Sequence, residues 1–206
     1  MRIGVYGGSF DPVHLGHLLL AECCREQARL DRVLFLPNAV SPHKQDRPPA
    51  AAADRLEMLR LATGGHDAFA VSSLETDRGG VSYTADTLAA LATSHRDDSL
   101  FLVLGPDSLA SLPRWHEPRR VLAEAEILAV ERIGLDDIAA LVAVPPLGML
   151  LGSRAAAIVQ QRIRMPHVGF RASDLRADIA AGRSIRYRTP RAVECYIATH
   201  GLYRER

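Results

Sequence analysis

The chain has 206 residues, 25 Lys and Arg against 24 Asp and Glu, and 48% hydrophobic residues. That suits one domain burying roughly 70% of its unfolded surface, and a formal net charge of +1 gives no case for a nucleic-acid or membrane surface. Cys23, Cys24 and Cys195 form neither an even set nor a C-x-x-C pair, so neither a disulfide framework nor a metal pair is suggested and a reducing cytoplasm is expected.

No apolar leader precedes Gly7, and the stretch 138–151 is broken by Pro145 and Pro146. It is shorter than the ~20 residues of a membrane helix. In chain order, residues 3–6 predict a short buried parallel strand, ended by Gly7 and Gly8. Without Cβ atoms these glycines let phosphates approach main-chain N–H groups. Pro12 and Gly16 are expected to delay the next helix until residues 18–21, with its positive end beside His17 and its last turn near residue 30. His14 and His17 are spaced H-x-G-H. A lone histidine is ordinarily a satisfied core or surface residue, but a short strand-to-helix turn does not need two imidazoles to fold. At a phosphate site they donate hydrogen bonds to oxygens whose charge grows during transfer.

A second strand is predicted over 33–37, giving a βαβ opening. The following segment, with Asn38, His43 and Lys44, lies where open parallel sheets place ligand loops, or is a polar surface loop. A helix over 50–63, a strand over 68–74, a charged loop over 75–80 and a helix ending near 94 come next; Ser82 or Thr84 is expected to cap that helix. Residues 100–104 are a continuous apolar strand followed by Gly105, Pro106 and Asp107, an acid placed to accept hydrogen bonds from a ribose. Trp115, the single tryptophan, is a core residue or a stacking platform. A strand over 126–130 precedes Arg132. Residues 135–166 offer a strand-like 149–151 and a helical 155–161 but no chemistry. Ser173 is expected to cap a helix to about 181, with Arg176 on the same face: either a second phosphate cradle or an ordinary capped surface helix. Thr189 and Pro190 start a terminal helix that Gly201 stops. The pattern predicts an α/β fold, a Rossmann-like open, mostly parallel sheet flanked by helices. It forms one domain over 1–206, with a small helical portion from about 170 to 206.

The run Gly7-Gly8-Ser9-Phe10-Asp11-Pro12-Val13-His14-Leu15-Gly16-His17 resembles the signature of the (H/T)-x-G-H nucleotidyltransferase superfamily. More narrowly it resembles the bacterial nicotinate-mononucleotide adenylyltransferases. Further matches run in family order from Ile3 to Tyr203: the loop ending His43-Lys44, Ser82-Tyr83-Thr84, Gly105-Pro106-Asp107-Ser108-Leu109, Arg132 before Gly134, and Ser173 with Arg176. Departures are Ser41 for a proline, His116 where many members have tyrosine, Ile133 for a proline, and Arg171 for a serine.

The resemblance implies transfer of the adenylyl group of ATP to nicotinate mononucleotide, giving deamido-NAD and pyrophosphate in NAD biosynthesis, with Mg²⁺. It implies catalytic roles for His14, His17, Lys44 and Arg176. Gly7, Gly8, Ser9, Phe10, Gly105, Asp107, Arg132 and Ser173 would join His14, His17 and Arg176 in binding ATP. Asn38, Lys44, Thr84 and Trp115 would take the mononucleotide. No residue is assigned to the metal, since no acidic cluster marks a protein cage. Small-molecule substrates, no nucleic acid and no membrane are expected, with a homo-oligomer allowed. The rival readings are another small-molecule nucleotidyltransferase, with phosphopantetheine or nicotinamide mononucleotide as acceptor, and a catalytically silent nucleotide-binding regulator on the same fold.

Overall fold

The structure, a computed structural model, describes residues 1–40 and 49–204. Its first half runs β1 (Arg2–Gly8), α1 (Leu15–Gln27), β2 (Arg32–Pro37), α2 (Ala52–Thr63), β3 (Phe69–Val71), α3 (Leu74–Arg78), α4 (Thr84–Ser94) and β4 (Ser99–Leu104). Then come α5 (Pro106–Ser111), a 3-10 turn (Leu112–Arg114), α6 (Pro118–Glu124), β5 (Glu126–Arg132), α7 (Ile138–Ala143), α8 (Leu147–Leu151), α9 (Arg154–Gln160), β6 (Ile163–Met165), α10 (Ala172–Ala180) and α11 (Arg191–Thr199). The strands form a six-stranded sheet of order β3-β2-β1-β4-β5-β6, and β1–β4, β4–β5 and β5–β6 run parallel. This is the Rossmann-like α/β architecture expected. No helix among the described residues is long and apolar enough to cross a membrane.

Two compact units divide the chain. The first comprises Met1–Tyr6, Leu20–Leu34 and Tyr83–His167. Leu100 to Leu104 in β4 are all buried, the two-sided burial that a central parallel strand requires. Its register sets Ile3 beside Leu100 and Leu102 beside Ile127, so apolar rows cross the sheet. The second unit comprises Gly7–Leu19, Phe35–Ser82 and Val168–Arg206, with a core that includes Phe10, Val13, Phe35, Met58, Leu59, Leu175, Val193 and Ile197.

Several expected boundaries change. Gly7 and Gly8 continue β1 rather than ending it, because the Gly8 carbonyl still accepts the Asn38 N–H at 3.0 Å. The strand expected over 68–74 is confined to Phe69–Val71, and residues 74–78 are helical where its end and a charged loop were expected; Glu75 is buried, and Gly79 at φ +68 closes the turn. Residues 149–151 belong to α8, not a strand. Leu147 and Leu151, one helical turn apart, are buried while Met149 is 78% exposed.

Candidate active site

The second unit carries the histidines. Contrary to the expected start at residue 18, α1 begins at Leu15 and takes Gly16 and His17 into its first turn. The sequence at this point forms its own cap. The His14 carbonyl accepts the N–H groups of His17 at 2.9 Å and Leu18 at 3.4 Å, while the His14 N–H donates back to His17 Nδ1 at 3.1 Å. The bond to His17 Nδ1 is one half of a capping box, with an imidazole where glutamate or glutamine usually stands; the bonds to the His14 carbonyl are main-chain bonds of the helix start. Because Nδ1 accepts, the proton of neutral His17 resides on Nε2.

The two rings stack, centroids 3.6 Å apart and planes 20° from parallel. A Cβ on Gly16 would meet His14 Cε1 and Nδ1 at 3.1 Å, so glycine at that position gives the His14 ring its place. His14 is 6% exposed, and burial pushes its imidazole down to about 4. Its Nδ1 is buried without a hydrogen-bond partner among the described residues. Phe10, at φ +47, is 2% exposed, with its ring edge-on to His17 and tilted against Phe35.

Arg176 meets the same loop. Its Nη1 donates to the Asp11 carbonyl at 2.6 Å and lies 3.5 Å from Asp11 Oδ2. Ser173 does not cap α10, as expected from sequence. The residue before the helix is Arg171, and the Ser173 hydroxyl, one position into the helix, donates to Asp174 at 3.1 Å. Its side chain is exposed. With Arg171 in extended backbone at the cap position, the helix starts two residues earlier than a Ser173 cap would place it.

Sequence reasoning missed Arg55, which is 1% exposed. It donates to the Ser9 carbonyl at 3.0 Å and the Ala50 carbonyl at 2.9 Å, while Asp11 Oδ1 accepts the Ala50 N–H at 3.1 Å. The available signal was an arginine at i, with Met58 and Leu59 at i+3 and i+4 on the buried stripe of α2. Asn38 sits at the end of β2 with Oδ1 buried and unpartnered among the described residues, an amide open to a ligand. Next to it the Ala39 N–H donates to Ser82 Oγ at 3.0 Å, so Ser82 anchors this loop instead of capping α4. Lys44 lies outside the described residues.

The first unit holds the other expected residues. Gly105 precedes α5, placing Asp107 in its first turn. Asp107 lines a cleft of about 170 Å³ with Leu20, Gly105, Val130, Arg132 and Met165. Arg132 is engaged by a two-pronged pair: Nε to Asp136 Oδ2 at 2.7 Å and Nη2 to Oδ1 at 2.9 Å. The guanidinium holds the Asp136 carboxyl below the usual range, and the hydrogen bond raises Arg132 in turn. Thr84 opens α4 without acting as a side-chain cap; Tyr83 stands at the cap position. The rings of Tyr83 and His116 lie 4.4 Å apart, which brings the start of α4 to the segment holding Trp115. Trp115 is half-buried and its Nε1 donates to Ser111 Oγ at 2.9 Å.

The family model described as Cytidylyltransferase-like matches residues 5–177. A probable nicotinate-nucleotide adenylyltransferase of Thermomicrobium roseum is 44% identical, covering 98% of this chain and 92% of its own length. One named the same way in Thermus thermophilus is 43% identical over 99% of this chain and all of its own. The solved nicotinic acid mononucleotide adenylyltransferase of Plasmodium falciparum, complexed with NaAD, superposes with a TM-score of 0.74 at 16% identity. It covers 98% of this chain and 97% of that one, a likeness of fold. With a family match running from β1 into α10 and relatives this close along their whole length, the chain belongs to the cytidylyltransferase-like family, and within it to the nicotinate-nucleotide adenylyltransferases.

Proposed function

We propose that the protein transfers the adenylyl group of ATP to nicotinate mononucleotide, yielding deamido-NAD and pyrophosphate. The carrying observation is the stacked histidine pair at the first turn of α1, in which burial keeps the His14 imidazole neutral and the His14 N–H orients the His17 ring. The reaction needs no general base: a phosphate monoester has a second pKa near 6 and is largely ionised at neutral pH. An oxygen of the mononucleotide phosphate attacks the α-phosphorus of ATP, and the bond to the bridging oxygen of pyrophosphate breaks. What the protein supplies is alignment and donors aimed at oxygens gaining charge.

His17 offers Nε2–H with its orientation fixed by the His14 N–H. His14 offers a buried ring nitrogen with no partner of its own among the described residues. Arg176 brings a cation to the loop 9–11, and Lys44 and Ser173 complete the proposed phosphate contacts. Asp107 and Arg132 are assigned to the nucleoside end of ATP, and Asn38, Thr84 and Trp115 to the mononucleotide. Among the described residues no group of three or more His, Cys, Asp or Glu is placed to hold a metal ion. Mg²⁺ is proposed to arrive with the phosphates of ATP. Free thiols at Cys23, Cys24 and Cys195 fit a reducing cytoplasm.

The test is pyrophosphate release with ATP and Mg²⁺, offering nicotinate mononucleotide, nicotinamide mononucleotide and phosphopantetheine in parallel. Turnover greatest with the nicotinate form is expected. Intact ATP binding with silence toward every acceptor would replace this reading by that of a nucleotide-binding regulator.

A further inference from the structure

We propose that Tyr203 is a positioning residue for adenylyl transfer, its hydroxyl occupying the Asp11 carboxylate so that Arg176 stays available to phosphate. This rests on the reading above for its reaction, but not for its binding test. Asp11 is 8% exposed and is the meeting point of three groups. Its Oδ1 accepts the Tyr203 hydroxyl at 2.7 Å and the Ala50 N–H at 3.1 Å. Arg176 instead bonds the Asp11 main-chain oxygen at 2.6 Å and stands 3.5 Å from Oδ2. A closed charge-assisted bond is about 2.7–2.9 Å, so the guanidinium holds a neutral carbonyl closely and the carboxylate loosely. A carbonyl is the weaker competitor against an incoming phosphate.

The chain end is built for this contact. Gly201 at φ +61 turns the chain after α11, and Tyr203 itself sits at φ +63 with its ring returned to the loop 9–11. Burial first, then the neighbouring carboxylate, raises the phenol far above its usual value, so it remains a donor throughout the physiological range. Arg55 is the other cation of the cluster, and its bonds go to the Ser9 and Ala50 carbonyls. Arg176 is thus the cation with which a carboxylate relieved of Tyr203 would close.

The experiment compares Tyr203→Phe with Tyr196→Phe, a matched control. Tyr196 on α11 donates to Asp54 on α2 at 2.9 Å, the same tyrosine-to-aspartate bond in the same unit, away from Arg176. Tyr203→Phe is expected to raise KM for ATP about tenfold with kcat changed less than about threefold, the split expected when ground-state and transition-state binding are lost equally. Tyr196→Phe should leave both constants within about twofold while lowering Tm by a similar amount. Adding Asp11→Asn to Tyr203→Phe removes the charge that captures Arg176 and should bring KM back toward wild type. The Kd for ATP, measured by calorimetry without any acceptor, should move by the same factor as KM, so the proposal stands or falls even if nicotinate mononucleotide proves not to be the acceptor. An unchanged Kd in Tyr203→Phe, an equal shift in Tyr196→Phe, or a double variant weaker than the single would overturn it.

Discussion

Asparagine at position 17 separates the capping bond that the structure gives His17 from the donor role proposed for it. The Oδ1 of asparagine lies as many bonds from Cβ as imidazole Nδ1, so it inherits the acceptor role toward the His14 N–H, 3.1 Å away in the present structure. It has nothing where Nε2 was. A lost helix cap costs about 0.5–2 kcal/mol, and a lost transition-state donor costs about 10²–10³ in kcat. His17→Ala should therefore lose about 1 kcal/mol of stability and at least about a hundredfold in turnover, while His17→Asn should recover the stability and none of the turnover. Urea denaturation and pyrophosphate release on the same preparations check both. A His17→Asn variant within about tenfold of wild-type kcat would mean that Nε2 is not the acting nitrogen. Equal stabilities for all three would mean that the capping bond contributes nothing.

His14 makes stability depend on pH. Its folded value of about 4 lies below the ordinary 6.5, so the unfolded chain binds the proton more tightly, and the contribution is complete above 6.5 and lost as pH falls toward 4. Between pH 7.5 and 5 the loss should be about 2 kcal/mol, read from urea midpoints, and His14→Gln should remove that slope while cutting turnover by orders of magnitude. Gly16→Ala sets a methyl 3.1 Å from the His14 ring in a helical first turn. Helix propensity favours alanine by about 1 kcal/mol, so stability should hold or rise while turnover falls about tenfold or more; an active variant would show that the stacked geometry is not needed. Asp136→Ala frees Arg132 from its two-pronged partner and should raise KM for ATP severalfold, with Tm within a few degrees.

The fold was legible wherever burial alone decides structure. The apolar runs at 33–37 and 100–104 became β2 and β4, since a strand buried on both faces leaves a continuous signature. The start of α1 was misplaced because proline and glycine were read as helix breakers. Helix starts tolerate glycine, and the cap here is an imidazole, which no common capping pattern contains. Met149 to Leu151 misled for a related reason: three apolar residues in a row fit either a strand or a helix, and only the partners of Leu147 and Leu151 decide. The histidines, Asn38 and Arg176 were visible as chemistry. Asp11, Arg55 and Tyr203 were not visible as a cluster, since they are 44 to 192 residues apart in pairs such as Asp11 with Tyr203 and no local pattern joins them.

The register of β1 has a consequence for how the chain is made. Arg2, Ile3 and Val5 pair with Ser99, Leu100 and Leu102, so the strand leading into the two histidines leaves the ribosome nearly a hundred residues ahead of one of its two neighbours. At about 5–20 residues per second that interval is roughly 5 to 20 seconds. Throughout it, one edge of an apolar strand stands open to strands of other chains. The nascent chain therefore depends on β2 and α1 covering what they can of β1 until β4 arrives, and a fault in β4 will appear first as lost yield during synthesis and only afterwards as a weakened enzyme.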